Sequence, residues 1–239
     1  MNSPIYLRAW GDLACFTRPE MKVERVSYPV ITPSAARGLL EAILYKPQFR
    51  WRIHRIAVRR PVQFLAFRRN EVKSKASRSP EPLFADEDRT QRNTLALRQV
   101  DYVIEASLEL TRLAGRPRQH PHGHDGPTGD DNIGKYYGMA RRRIEQGQCF
   151  HQPSFGCREF PAHFEPATAA AMQVSPELNR DADLGLMLYD VFDLDVGESW
   201  LPGKIEARPQ ITFFRAALKN GVITVPAWSE VRQQLRGAA

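Results

Sequence analysis

The stretch LALRQVDYVIEASLEL, residues 95–110, sets the architecture of the chain. Ile104, Ala106, Leu108 and Leu110 alternate with Glu105, Ser107 and Glu109, the period-two pattern of a strand in a sheet with one wet face. Upstream lie two further strand-like stretches, Trp51 to Arg59 and Val62 to Arg68, then a polar segment, Asn70 to Asn93, that reads as a mobile loop or an exposed hairpin tip. Before them comes a helix with clear punctuation. Thr32 caps it, Pro33 fits its first position, and Ala36, Leu39, Leu40 and Ile43 give helical spacing. Pro47 pushes Lys46 out of helical geometry, so the helix stops near Tyr45. The apolar, aromatic run Ile5 to Phe16 is the first strand, followed by a loop, Thr17 to Pro29, carrying Arg18, Lys22 and Arg25.

Downstream, Ala114 to Asp130 is a second loop, containing RPRQHPHGHDGPTGD. Asp131 then caps a helix whose apolar face is Ile133, Tyr136, Tyr137, Ala140 and Ile144, closed by Gly147. GQCFHQPSFGCREFPAHF follows as a strand and tight turns. The order is β-α-β-β-α-β, which predicts an α+β chain with a ferredoxin-like, RRM-type domain over residues 1–165. Beyond it, Leu184 to Leu194, Ile205 to Leu218, Gly221 to Val225 and a helix from Ser229 predict a small antiparallel β-sheet domain over residues 166–239.

With 239 residues and 42% hydrophobic side chains, the chain is long enough to bury a core. Its net charge of +7 favours an acidic partner, most commonly nucleic acid. Three cysteines, no signal peptide and no apolar run near ~18 residues predict a soluble protein of a reducing cytoplasm, without a membrane partner. The sequence has no Gly-rich phosphate loop, no GxGxxG and no GxSxG elbow, which removes the common nucleotide-binding and hydrolase classes. Asp86, Glu87 and Asp88 share one loop and do not resemble the converging carboxylates of a two-metal nuclease.

Four constellations carry chemistry. Residues 50–78 hold ten Lys or Arg against one acid, Glu71, interleaved with Trp51, Phe64 and Phe67. Cations suit phosphates and flat aromatic faces suit unstacked bases; the alternative is a solvated strand face with core aromatics behind it. DNIGKYYGMARRR, residues 131–143, opens a helix with Lys135 between polar backbone and tyrosines and closes on Arg141, Arg142 and Arg143. Its first turn can hold a phosphate; equally, the tyrosines can be core and the arginines solvated. His120, His122 and His124, in a Pro-Gly setting, read as a loop rather than a metal site. Cys149, His151, Cys157 and His163 lack the close ligand pairs of a zinc knuckle and read as buried thiols and strand histidines, so no metal or other cofactor is expected.

The segments ITPSAARGLLEAILYKPQFRW (31–51), RNTLALRQVDYVIEA (92–106) and GQCFHQPSFGCREFPAHF (147–164), with the closing stretch FDLDVGESWLPGKIEARPQITFFRAALKNGVITVPAW, resemble the CRISPR-associated Cas-five family of the type I-C (Dvulg) subtype along nearly the whole chain. The resemblance implies a ferredoxin-like domain with an added basic β-hairpin and a small C-terminal sheet. It also implies an endoribonuclease that cuts precursor CRISPR RNA within each repeat, near the base of the hairpin. Such a protein keeps the 5′ handle of the mature crRNA and joins the backbone and large subunits of an antiviral surveillance complex that meets target DNA.

The resemblance further implies an active site of a tyrosine after the first helix and a lysine and histidine at the start of the second. These map onto Tyr45, Lys135 and, where the histidine would stand, Tyr136. Arg18, Lys22, Lys46, Arg50, Arg68, Arg69, Arg141 and Arg142 are the candidate RNA contacts. The matching chemistry needs no metal: the ribose 2′-OH attacks the adjacent phosphate, leaving a 2′,3′-cyclic phosphate and a 5′-OH. Lys135 is the natural cation for the phosphorane. A phenol titrates near pH ~10, and Lys135 beside Tyr45 is expected to favour its phenolate. The rival readings are a non-catalytic subunit that caps the 5′ handle, and a general double-stranded DNA-binding protein.

Overall fold

The strand expected at 95–110 is part of a longer one that organises the molecule. The computed structural model describes residues 3–74, 84, 86–115, 118–119, 125–126, 131–178, 181–191 and 211–237. In chain order they form β1 (Ile5–Ala14), a 3-10 turn (Pro19–Met21), β2 (Arg25–Val26), α1 (Pro33–Ile43), β3 (Phe49–Val58), β4 (Phe64–Val72) and β5 (Arg89–Leu110). Then follow β6 (Arg118–Gln119), β7 (Asp125–Gly126), α2 (Ile133–Glu145), β8 (His163–Pro166), a second 3-10 turn (Ala169–Met172), β9 (Ala182–Asp190), β10 (Thr212–Lys219), β11 (Val222–Thr224) and α3 (Trp228–Gly237).

The architecture is α+β, with a mostly antiparallel nine-stranded sheet along the path β8-β1-β5-β3-β11-β10-β9. β5 is the spine: it pairs antiparallel with β1, β3 and β4, and parallel with β2. Its first half, Arg89 to Leu97, makes a hairpin with β4, from Val72↔Arg89 to Phe64↔Leu97. Gln99, at φ 51°, then bends the strand before it runs on between β1 and β3. The polar segment after Asn70 is thus partly an extended hairpin; its tip lies outside the described residues, as does most of the loop at 114–130 with His120, His122 and His124.

One face of the sheet is the main core, where Leu7, Ile56, Leu97 and Ile104 meet Leu39, Leu40 and Ile43 of α1 and Tyr136, Tyr137 and Ile144 of α2. The other face differs from expectation. Glu105 is buried, ion-paired to Arg55 and accepting from the Tyr6 hydroxyl, while Glu109 takes Arg50 and Arg52 at 3.1 Å each. Cross-strand pairs therefore neutralise these acids, and Met172 of the second 3-10 turn packs on Ala57 and Val103. What alternation marked as wet is a satisfied ionic ladder with a small apolar cap.

Thr32 caps α1 as its sequence predicts, accepting from the Ala35 amide at 3.2 Å. The α2 cap is displaced by one residue. Asn132, not Asp131, accepts from Gly134 N, while Asp131 is buried and accepts from the Gly115 amide at 2.9 Å and from the Tyr136 hydroxyl. Gly147, at φ 62°, follows the end of α2 as expected.

The C-terminal strands do form an antiparallel sheet, but it is continuous with the first: β11 pairs with β3 from Val222↔Ala57 to Thr224↔Arg55. A buried ion pair adds a second tie, Arg37 of α1 donating through Nε and NH2 to Asp190 of β9, both at 2.9 Å. Residues 192–210, which include much of the expected strand from Ile205, lie outside the described residues. Among the described residues no helix is long and apolar enough to cross a membrane.

The segment after α2 is fixed by one glycine. At Gly156 φ is +82°, and an added Cβ would collide with the backbone carbonyl of Cys15, with the carbonyl carbon only 2.9 Å away. Gly156→Ala is expected to cost about 2–3 kcal/mol, from left-handed strain and forced displacement of the chain at the end of β1. Urea unfolding measures it; a loss below about 0.5 kcal/mol would mean the contact relaxes freely.

Candidate phosphodiester site and nucleic-acid interface

The C-terminal end of α1 builds the site. A helix end leaves carbonyls without intrahelical partners, and here three other segments supply donors. Arg143 of α2 donates to Ile43 O at 2.7 Å, the amides of Phe150 and His151 both donate to Ala42 O at 2.8 and 3.0 Å, and Trp51 Nε1 donates to Leu44 O at 2.9 Å. Leu44 is extended (φ −146°), which turns Tyr45 and Lys46 outward, and both are exposed.

From there residues 44–49 run alongside α2. The link is pinned at one end by Arg143 on Ile43 and at the other by Phe49, whose ring lies 4.8 Å from that of Tyr136. Thr111 fixes its middle, donating from its hydroxyl to Pro47 O at 2.6 Å and from its amide to Gln48 O at 2.9 Å. Lys135 is exposed on the first turn of α2, next to Tyr136. The Tyr45 link and the Lys135 turn thus occupy neighbouring elements, although Lys135 and Arg143 are separated along the helix by about 12 Å.

Tyr136 does not lie on that surface. It is 2% exposed, against Phe49, with its hydroxyl on the Asp131 carboxylate. Tyr137 is also buried, its hydroxyl accepting from Leu108 N at 3.1 Å. At the position where the resemblance implies a histidine, the Tyr136 phenol is thus held inside, bonded to Asp131 at the start of α2.

Tyr45 also differs from expectation. Partial burial and the nearby Glu41 carboxylate push its phenol above the ordinary range, with Arg37 opposing. These surroundings favour the neutral hydroxyl, the opposite of the direction expected from Lys135. Glu41 itself is pushed up by burial, against the pull of Arg37.

The basic residues separate into two kinds. Lys22, Lys46, Arg68, Arg141 and Arg142 are exposed, and Arg18 is half-buried over the Tyr28 ring at 4.5 Å. Arg141 reaches the Ser3 carbonyl at 3.4 Å and lies 5.9 Å from the Tyr137 ring. Arg50 and Arg69 are engaged inside the fold, Arg50 with Glu109 and Arg69 with Glu71, Thr94 and the Val23 carbonyl. The aromatics divide likewise: Trp51 is buried, Phe67 packs edge-on to Phe160, and Phe64 stays exposed.

Cys15 and Cys157 are buried and His163 stacks on Trp10 in β8, whereas Cys149 is exposed. Among the described residues no group of three or more His, Cys, Asp or Glu side chains is placed to hold a metal. Arg143, named only for the basic end of α2, His151, read as a strand histidine, and Phe150 were not among the candidate catalytic or RNA-contact residues. Two backbone bonds to Ala42 bring the last two to the end of α1.

The chain is 45% identical to the CRISPR pre-crRNA endoribonuclease Cas5d of Mannheimia succiniciproducens, covering 95% of this chain and 96% of that relative. It is 41% identical to the CRISPR pre-crRNA endoribonuclease Cas5d of Thermus thermophilus, over 92% of this chain and 90% of the relative. A crystal structure of a CRISPR-associated protein, 22% identical, shares the fold with a TM-score of 0.65 over 96% of this chain and 94% of that one. The family model described as CRISPR-associated protein (Cas_Cas5) matches residues 5–226, and by that match and those identities the chain belongs to this family.

Proposed function

We propose that this protein is the endoribonuclease that matures precursor CRISPR RNA in a type I-C system, cutting within the repeat near the base of the hairpin. The carrying observation is near-full-length identity, at 41% and 45%, to two proteins named as pre-crRNA endoribonucleases. In this reading the β8-β1-β5-β3 half of the sheet with α1 and α2 is a ferredoxin-like, RRM-type module, the β4-β5 hairpin is its basic addition, and β9 to β11 form the C-terminal sheet. The protein keeps the 5′ handle after cutting and remains with the backbone and large subunits in the surveillance complex that meets target DNA.

The ribose 2′-oxygen attacks the adjacent phosphorus as its proton passes to solvent water, the bond from phosphorus to the 5′-oxygen breaks, and that oxygen takes a proton from Tyr45, which solvent then reprotonates. The products are a 2′,3′-cyclic phosphate and a 5′-OH. The exposed Lys135 ammonium meets the charge that develops on the phosphorane. Tyr45, kept protonated by its surroundings, donates from its hydroxyl to the reacting group and supplies the leaving oxygen's proton. Tyr136 acts indirectly, its bond to Asp131 setting the first turn of α2. Lys22, Lys46, Arg68, Arg141 and Arg142, with Arg18 at the margin, follow the phosphate backbone, while Arg50 and Arg69 hold the strands that present them. With phenol and ammonium rather than imidazole as the assigned groups, turnover is slow, which suits a protein that retains its product.

The test is incubation of purified protein with its cognate repeat RNA in EDTA. The expected result is one cut, leaving a 2′,3′-cyclic phosphate, with Tyr45→Phe reducing the rate about 10²-fold or more, as expected for a lost proton donor. Tight hairpin binding without a cut would favour the capping-subunit reading instead. Cleavage that requires added divalent metal would overturn the mechanism.

A further inference from the structure

Gly156 brings two distant thiols together. With no side chain there, the backbone of residues 155–157 lies against the end of β1, where Cys15 N donates to Phe155 O at 3.0 Å. Cys15 and Cys157, 142 positions apart in the chain, meet across this contact. The Cys157 thiol hydrogen-bonds the Cys15 thiol and lies 3.9 Å from Cys15 O. Both are buried, but Cys157 at 9% exposure is nearer solvent than Cys15 at 1%.

Their surroundings are not those of inert core thiols. Arg25 donates from NH1 to Cys157 Sγ at 3.2 Å, and Thr17 Oγ1 is 3.5 Å from Cys15 Sγ. The guanidinium is itself held, by Glu159 at 2.8 Å and Glu71 at 3.2 Å, so the cation is fixed beside the sulfurs. The hydrogen bond from Cys157 pushes the Cys15 thiol down, against burial and with help from Thr17, Arg25 and Arg69; the same bond pushes Cys157 up. One sulfur disposed to ionise beside a second that keeps its proton is the arrangement of an oxidisable dithiol, in which the first reacts and the second resolves.

We propose that Cys15 and Cys157 are a modification site, converted by hydrogen peroxide to an intramolecular disulfide that ties the end of β1 to the segment after α2. The Cys15 sulfur attacks one peroxide oxygen as the O–O bond breaks, giving a sulfenic acid and a hydroxide, which takes up the proton that Cys15 released and leaves as water. The Cys157 sulfur then attacks the sulfenic sulfur, and the departing hydroxide takes the Cys157 proton as a second water. Two electrons pass from the sulfurs to the peroxide. Small thiols reverse the bond, so in a reducing compartment the disulfide is a state entered under oxidation and not a permanent staple. It would fix the start of the loop that carries Arg18 and Lys22. None of these steps depends on the RNA chemistry proposed above.

The experiment uses full-length protein carrying Cys149→Ser, which removes the exposed thiol. After treatment with hydrogen peroxide, free thiols are blocked with N-ethylmaleimide in denaturant, and the intact mass is read with and without prior reduction. The expected product is lighter by two hydrogens, takes no maleimide until reduced and then takes two, and yields a Cys15–Cys157 cross-linked peptide on digestion. Its melting temperature should rise by at least about 5 °C, because the bridge closes a long loop in the unfolded chain. Arg25→Gln should slow the bridging several-fold. Two maleimides on protein exposed to peroxide that oxidises Cys149 in the wild type would overturn the site, as would sulfinic acid without a bridge. A bridge that lowers the melting temperature would overturn the native pairing, and an unchanged rate in Arg25→Gln would remove the guanidinium from the mechanism.

Discussion

Lys135→Ala slows cleavage of the repeat RNA by about 10²–10³-fold, the usual cost of removing one donor or cation aimed at charge that develops only in the transition state. Affinity for the uncut RNA falls by only a few fold, because Lys135 is one of several exposed cations proposed to follow the phosphate backbone. Stability is unchanged, since the side chain lies on the outer face of α2 whereas Tyr136, Tyr137, Ala140 and Ile144 carry the packing. Single-turnover cleavage beside a binding titration separates these terms. A rate within tenfold of wild type would move the phosphorane contact elsewhere, with Arg143 at the end of α1 the first alternative.

Arg37→Ala unfolds the protein more readily by about 3–5 kcal/mol, because it leaves buried carboxylates without their counter-charge. Arg37 is 6% exposed, bidentate on Asp190 and 2.6 Å from Glu41. For a chain of this size the melting temperature drops by roughly 10 °C or more. The pH dependence has a definite sign. An uncompensated buried carboxylate has a folded-state pKa above its unfolded one, as burial already drives Glu41, so the folded state binds the extra proton. The variant's deficit is then greatest at neutral pH and shrinks as the solution is acidified. Thermal melts near pH 7 and pH 5 check this; an equal deficit at both would mean that lost packing, not stranded charge, is responsible.

Local rules carried the reading of the sequence where local forces decide. The Thr32-Pro33 start of α1, the apolar face of α2 and the alternation of β5 were legible because caps and periodicity act within a few residues. The misreadings involve distant partners. Asp131 and Asn132 are both suitable caps; Asp131 loses the role because Gly115 and Tyr136 claim its carboxylate. The count of ten cations to one acid in residues 50–78 overlooked Glu105 and Glu109, which strand register brings opposite Arg55, Arg50 and Arg52. The candidate site was half legible: Tyr45 and Lys135 belong to recognisable helix ends, but Arg143 and Phe150 reach the end of α1 only through tertiary contacts.

The junction of β3 with β11 also sets a hazard during synthesis. The backbone of Arg55, Ile56 and Ala57 is covered on that side by residues 222–224, which leave the ribosome only after a further delay on the order of ten seconds or more at ~5–20 residues per second. Until then the nascent chain carries a bare strand edge, a template for pairing with another copy. Glu105 and Glu109 emerge well before β11 and already neutralise Arg55, Arg50 and Arg52, so it is the arrival of residues 222–224, not charge on β3, that closes this edge.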